Sequence, residues 1–403
     1  MDALPFFSEH LNEYLDELRQ LVAIDTKTGD SAGCERAATL LGSWLSPLAT
    51  VTREPLTGFG PLLRVTRPGT GGCRLALLAH YDTVWEAGSW PEPWSERGGR
   101  IYGPGVYDMK SGLLFALWLL RWLERSGREH PDLEVLLTPD EEVGSPASRA
   151  RIAEAAAAAD LALVLEPATP EGHLKVARKG SGEYLVAITG RPAHQGVAPH
   201  DGINAVVEAA HQVLRMLELE DLSAGTTVGP NVLSGGSASN IVAATARIVV
   251  DVRAWTAAEM RRLDAGLRAL RPVTPGAQVV VSGRWNRPPM EPSEASLELY
   301  ERAHRIGSQL GLDLDRVAWG GSSDANLTAV AGVPTVDGLG PIGDHAHSPG
   351  EHVVVAELPR RMALLAELVA SLAEPPGSWL SAPAMALLEQ HRAARSQRTS
   401  GAT

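Results

Sequence analysis

With 403 residues, 44% of them hydrophobic and 21% charged, the chain has an ordinary globular balance and the length of two or three domains, which excludes wholesale disorder. A formal net charge of −12, with no Lys/Arg block, excludes the basic footprint expected of a nucleic-acid or anionic-membrane partner. Two cysteines, Cys34 and Cys73, leave no disulfide framework and no cysteine zinc site.

The opening MDALPFFSEHLNEYLDELRQ has early acids, no basic n-region and no small-residue cleavage site, so no secretory signal is expected and the protein is expected in the cytoplasm. Residues 11–24 carry apolar positions at helical spacing. Arg74-Leu-Ala-Leu-Leu-Ala79 reads as a buried strand, and residues 111–124 as a strongly apolar helix. The longest apolar run in that helix, residues 113–120, is far short of the ~20 residues that span a bilayer. Residues 133–138 and 161–165 read as two more strands. Strands separated by helices predict an α/β fold with a mostly parallel, doubly wound sheet.

From Lys179 the texture changes. Residues 183–189 alternate, a helix is predicted over 202–217, and residues 240–252 alternate again. A helix over 256–270 and a strand over 278–282 complete a small inserted α+β sandwich. Beyond Pro288-Pro289 the pattern gives a helix over 293–310, a strand over 333–336 and a final helix over 358–373. The tail from His391 has three arginines and no acid and is expected to be a frayed, disordered end.

In open α/β sheets, ligands sit at the carboxyl ends of strands. That is where His80, Asp82, Glu141, Glu142 and Glu166 fall. Singly, such residues are ordinary: a structural histidine, a helix cap, a solvated acidic turn. Together they are a carboxylate cluster, which repels itself when buried unless cations are present. Histidine and carboxylates without cysteine suit zinc, cobalt or manganese. In His80-Tyr-Asp82, residues i and i+2 of a strand face one side. His80 can ligate a metal while Asp82 accepts its second ring N–H and fixes the tautomer. Asp108 opens the apolar helix after Gly103-Pro-Gly-Val-Tyr, where it is either an N-cap or a ligand. In Asp140-Glu141-Glu142, one glutamate can ligate while its neighbour holds a water.

His80-Tyr-Asp82-Thr-Val, the stretch Gly103-Pro-Gly-Val-Tyr-Asp108-Met-Lys-Ser-Gly112, Asp140-Glu141-Glu142, Leu165-Glu166-Pro167 and His347-Ser348 occur in order. In that order they resemble the dinuclear zinc exopeptidases and deacylases that include glutamate carboxypeptidase, aminoacylase, acetylornithine deacetylase and succinyl-diaminopimelate desuccinylase, with glutamate carboxypeptidase nearest in pattern. The likeness covers residues 15–373. It implies a catalytic domain over 1–178 and 290–390 and a lid and dimerisation domain over 179–289. It implies two Zn²⁺ per subunit, with Co²⁺ or Mn²⁺ as substitutes. His80, Asp108 and Glu166 would hold one ion, and Asp108, Glu142 and His347 the other, with Asp108 bridging. The Asp108–Met109 peptide should be cis, Asp82 should orient His80, and Glu141 should be the general base. His347 is chosen over His345 because the family pattern is His-Ser/Thr-x-x-Glu, which leaves His345 a surface residue or an outer partner.

The same resemblance gives the insertion its residues. His194, in Ala193-His194-Gln195-Gly196, would reach across a homodimer to steady the oxyanion; a plain turn histidine is the alternative. Asn240 and Arg253 would position the scissile group and fork onto a substrate carboxylate. Arg287 is a weaker match for a second carboxylate contact. Glu166, rather than Asp, is common in carboxypeptidases and deacylases of this kind. The implied activity is carboxypeptidase-type release of a C-terminal amino acid from a small peptide or N-acyl conjugate that carries a free carboxylate. The alternatives are an N-acyl-amino-acid deacylase and, more remotely, a non-catalytic dimeric binding protein.

Overall fold

The computed structural model describes residues 1–400. They form two compact units: one of Met1–Val176, Pro292–Ala318 and the chain from Ser323 on, the other of Ala177–Glu291 with Trp319–Ser322.

The first unit is built on a six-stranded sheet. Its order is Thr50–Glu54, Leu62–Arg67, Asp132–Thr138, Arg74–His80, Leu161–Val164, Thr335–Val336. The last four strands are mutually parallel, and the first two form an antiparallel edge. Arg74–His80 lies at the centre and is buried from Leu75 onward, as a strand covered on both faces must be. The helix Ser111–Ser126 covers one face and buries Trp118 and Trp122 completely. It packs tightly because of Gly112, where an added Cβ would lie 2.1 Å from the Leu165 carbonyl oxygen. The close approach brings the start of this helix against the end of the Leu161–Val164 strand. Both cysteines are buried and free. Among the described residues no helix is long and apolar enough to cross a membrane.

The second unit is a four-stranded antiparallel sheet, ordered Thr227–Gly235, Thr245–Ala254, Gly180–Thr189, Gln278–Arg287. The helices Ala205–Leu217 and Ala257–Arg268 belong to it, and Tyr184, Val186, Ile248, Val250, Leu263 and Leu267 share its core. The sequence pattern shows only three of these strands. Thr227–Gly235 contains Gly229, Pro230 and Asn231, which read as a turn. It is an edge strand whose register shifts between Gly229 and Val232, and a proline is tolerated in that setting. The strand expected from residue 240 begins only at Thr245.

The expected frayed tail from His391 differs as well. The chain is helical over Ala382–Ser400, His391 Nε2 lies 3.0 Å from the Ala159 carbonyl oxygen, and Arg392 Nε donates to Asp160 at 2.8 Å. The tail expectation for residues 401–403 lies outside the described residues.

Candidate metal centre

Three parallel strands end on one cluster. His80 closes Arg74–His80, Glu141 and Glu142 follow Asp132–Thr138, and Glu166 follows Leu161–Val164. The turn Val106–Lys110 adds Asp108 just ahead of the apolar helix. His347 comes from the loop between the short strands Gly343–Asp344 and His352–Val354.

Asp108 sits between the two imidazoles. Its Oδ1 lies 3.2 Å from His80 Nε2, and its Oδ2 lies 3.4 Å from His347 Nε2. Glu166 approaches His80 Nε2 to 3.7 Å, Glu141 to 4.0 Å, and Glu142 approaches His347 Nε2 to 3.0 Å. Among the described residues, two sets of side chains are close enough to share an ion: His80, Asp108 and Glu142, and His80, Glu141 and Glu166. They differ from the expected sets in including Glu141 and in leaving out His347, which reaches Asp108 and Glu142 instead. His347 faces the carboxylates, whereas the His345 ring lies over Gly350 and beside His352. The Asp108–Met109 peptide is cis.

The electrostatics call for positive charge. Burial pushes His80 toward its neutral form, but Asp108 and Asp82 override it and hold the proton well above the usual imidazole range. Asp108 and Glu142 raise His347 to about 11. Burial opposes ionisation of Asp108, yet His347 and His80 hold its carboxyl far below the ordinary value. Burial pushes Glu142 up to about 7 although His347 pulls it down. Three facing atoms are buried without a hydrogen-bond partner: His80 Nε2, Asp108 Oδ1 and Glu142 Oε1. Unpartnered atoms of a histidine and two carboxylates, brought together in this way, fit divalent ions of the zinc, cobalt and manganese type, which would replace the imidazole proton.

Asp82 departs in part from expectation. His80 Nδ1 lies 3.0 Å from the Asp82 carbonyl oxygen and 3.3 Å from its carboxylate. The carboxylate instead accepts the backbone N–H groups of Glu141 and Glu142, 3.2 Å each, and the Thr28 hydroxyl at 2.6 Å. It therefore orients the acidic pair as well as the imidazole.

Sequence reasoning left three supporting residues without a role. Thr28 is one. Glu351 is buried and accepts N–H groups from Tyr107, Asp108 and Trp85. It is the closing residue of the His-Ser/Thr-x-x-Glu pattern, which was its signal. Arg361 is fully buried and donates to the carbonyls of Gly338, Gly340 and Gly172. Gly340 N–H in turn donates to the Glu166 carbonyl at 2.8 Å. A fully buried helix arginine gives no such signal, because its partners are main-chain atoms distant in sequence.

The second unit holds the other candidates. His194 is exposed, and the Gly196 N–H donates to its Nδ1 at 3.2 Å, which leaves the proton of the neutral ring on Nε2. Asn240 stands beside it, since Gln195 N–H donates to the Asn240 carbonyl and His194 bridges to Ile241. Arg253 forks onto Asp251, with Nε and one terminal nitrogen each 2.8 Å from a carboxylate oxygen. Arg287 is buried, 5% exposed, opposite Ser181 at the end of its strand.

Comparison with known proteins identifies the family of the chain. Residues 76–371 match the family described as Peptidase family M20/M25/M40. The chain is 34% identical over 371 residues to carboxypeptidase G2 of Pseudomonas sp. (strain RS-16), covering 88% of each chain. It is 27% identical over 385 residues to succinyl-diaminopimelate desuccinylase of Xanthomonas oryzae pv. oryzae, covering 90% of this chain and 99% of that one. Its fold matches the aminopeptidase PepT of Bacillus cereus with a TM-score of 0.75 at 24% identity, over 90% of this chain and 99% of that one. The chain belongs to peptidase family M20/M25/M40, a family of metal-dependent peptidases and amidohydrolases.

Proposed function

We propose that this hydrolase uses two zinc ions to release a C-terminal amino acid, glutamate among the candidates, from a small peptide or N-acyl conjugate. The observation that carries the reading is Asp108, one of whose oxygens lies 3.2 Å from His80 and the other 3.4 Å from His347, as suits a carboxylate shared by two ions. His80 and Glu166 would complete one ion's set, Glu142 and His347 the other's.

When bound, such a pair supplies a water of lowered pKa and polarises an amide carbonyl. The remaining work belongs to the chain. Glu141 takes a proton from the attacking water and hands it to the departing amine nitrogen, so the proton is conserved. Asp82 keeps the Glu141 and Glu142 backbones in register for this. His194, acting across a dimer, offers its Nε2–H to the developing oxyanion. Asn240 orients the scissile group, and Arg253, with Arg287 as a second contact, receives the free carboxylate. The dimer reading is supported by the edge strand Thr227–Gly235, where Val232 and Leu233 are 55% and 47% exposed. A cytoplasmic setting fits a chain whose two cysteines are buried and free.

Likeness to carboxypeptidase G2 over 88% of the chain favours the carboxypeptidase reading. The relatives named as acetylornithine deacetylase and succinyl-diaminopimelate desuccinylase favour N-acyl-amino-acid deacylation as the second. Metal analysis should find two ions per chain, and chelation should abolish turnover. A panel of dipeptides ending in Glu, Asp or apolar residues, beside N-acetyl and N-succinyl amino acids, separates the readings. Cleavage of only the acyl amino acids overturns the first; a protein that takes up no metal and, with zinc supplied, cleaves nothing on the panel overturns both.

A further inference from the structure

The turn that carries Asp108 is not regular helix. Asp108 has φ −114° and ψ 96°, and Met109 has φ −134° and ψ 35°. A backbone in that geometry is not held by an ordinary helical ladder, so its N–H groups need other acceptors. Glu351 supplies them. One carboxylate oxygen accepts the N–H of Tyr107 at 3.0 Å and of Asp108 at 3.1 Å. The other accepts the Trp85 indole N–H at 2.8 Å. Glu351 is 1% exposed, so no solvent substitutes for these bonds.

Glu351 also closes the loop that carries His347. Ser348 N–H donates to the His345 carbonyl at 3.1 Å, and Glu351 N–H donates to the Ser348 carbonyl at 2.9 Å. His347 lies within the first of these two turns. One buried side chain thus ties together the segment after Asp82, the turn of Asp108 and the loop of His347. All three of its partners are donors. The two carboxylate oxygens accept all three bonds, whereas a glutamine amide would turn an NH₂ toward at least one of the donors.

We propose that Glu351 is a positioning residue for the metal centre, setting the distance between Asp108 and His347 through the Asp108 backbone. The inference rests on the two-metal reading above. It gives Glu351 no contact with substrate or with the reacting atoms.

The test uses the full-length enzyme and zinc itself. Zinc affinity is measured by competition with a chelator for wild type, Glu351→Gln, Glu351→Asp and the double variant Glu351→Gln/Trp85→Phe. Circular dichroism and thermal unfolding of the metal-stripped proteins accompany it, with kcat and KM of each loaded enzyme. Glu351→Gln should stay folded, bind zinc about 10- to 100-fold more weakly and lose kcat with little change in KM. Removing the indole N–H in the double variant should recover part of the zinc affinity, because the amide oxygen is then free to face Tyr107 and Asp108. Glu351→Asp keeps the charge but shortens the arm, and should show the same loss; it carries the test if Glu351→Gln does not fold. Variants that match wild type in zinc affinity and kcat overturn this proposal alone. A wild type that takes up no zinc overturns the metal reading and this proposal with it.

Discussion

The Asp82 carboxylate accepts the backbone N–H of Glu141 at 3.2 Å, through one oxygen, while its other oxygen accepts that of Glu142. A residue two positions from His80 therefore also sets where the acidic pair begins. Asp82→Asn keeps the size but offers an NH₂ to one of these donors. Turnover or zinc affinity should fall by about 10- to 100-fold. Steady-state kinetics with zinc titration would show it, and a variant equal to wild type in both would remove Asp82 from the site.

Glu141 and Glu142 are adjacent but separable. Glu141→Gln should keep near wild-type metal content and lose about 10²- to 10⁴-fold in kcat, as loss of a general base does. Glu142→Gln should lose metal as well, because Glu142 is the carboxylate that faces His347 at 3.0 Å. Metal analysis of the two variants side by side decides the assignment; the opposite pattern would exchange their roles.

The substrate end is tested through Arg253. Its fork is engaged with Asp251, so a substrate carboxylate must take the place of that partner. A charged hydrogen bond truncated in a closed site costs on the order of 2–5 kcal/mol. Converting the terminal carboxylate to an amide should therefore lower kcat/KM at least about thirtyfold. Arg253→Ala should show a comparable loss on the acid and little further loss on the amide. Equal cleavage of acid and amide would defeat the carboxypeptidase reading.

A fourth expectation concerns stability of the inserted unit. Glu208 is buried and accepts the N–H groups of Val273 and Thr274. Burial works against its charge, but hydrogen bonds from Thr274, Val273 and Gln212 outweigh it and hold the carboxyl below the ordinary value. A depressed carboxyl stabilises the fold above the unfolded-state value near 4.3, and that stabilisation fades as pH falls through the folded value. The stability gap between wild type and Glu208→Gln should therefore be full above about pH 5 and narrow as the pH falls below the unfolded-state value of about 4.3. Denaturant melts across that range measure it, and a pH-independent gap would contradict the argument.

Much of this was legible in the sequence because the signals were local. Arg74 to Ala79 is an uninterrupted apolar run, and its chemistry follows at once in His80 and Asp82. The cluster at the strand ends needed only the alternation of strands and helices to be placed. What stayed hidden depended on partners far along the chain. The edge strand Thr227–Gly235 carries turn residues because an edge tolerates them. Arg361 serves carbonyls up to 189 positions away, and nothing in its own helix announces that. The Asp251 fork on Arg253 was equally silent, since Asp-Val-Arg reads the same whether the arginine is engaged or free.

The placement of His347 bears on how the protein is made. Synthesis runs from the N-terminus, and domains tend to fold as units while it proceeds. His80, Asp108, Glu141, Glu142 and Glu166 leave the ribosome before any of the insertion, but His347 and the sheet strand Thr335–Val336 come only after it. A nascent chain halted anywhere in the inserted unit holds the carboxylates of the centre without their second imidazole. The inserted unit can be complete while the first unit still lacks the strand Thr335–Val336 and His347. On the two-metal reading, assembly of the centre would thus be a late event in the life of each chain, one that waits until translation has passed residue 347.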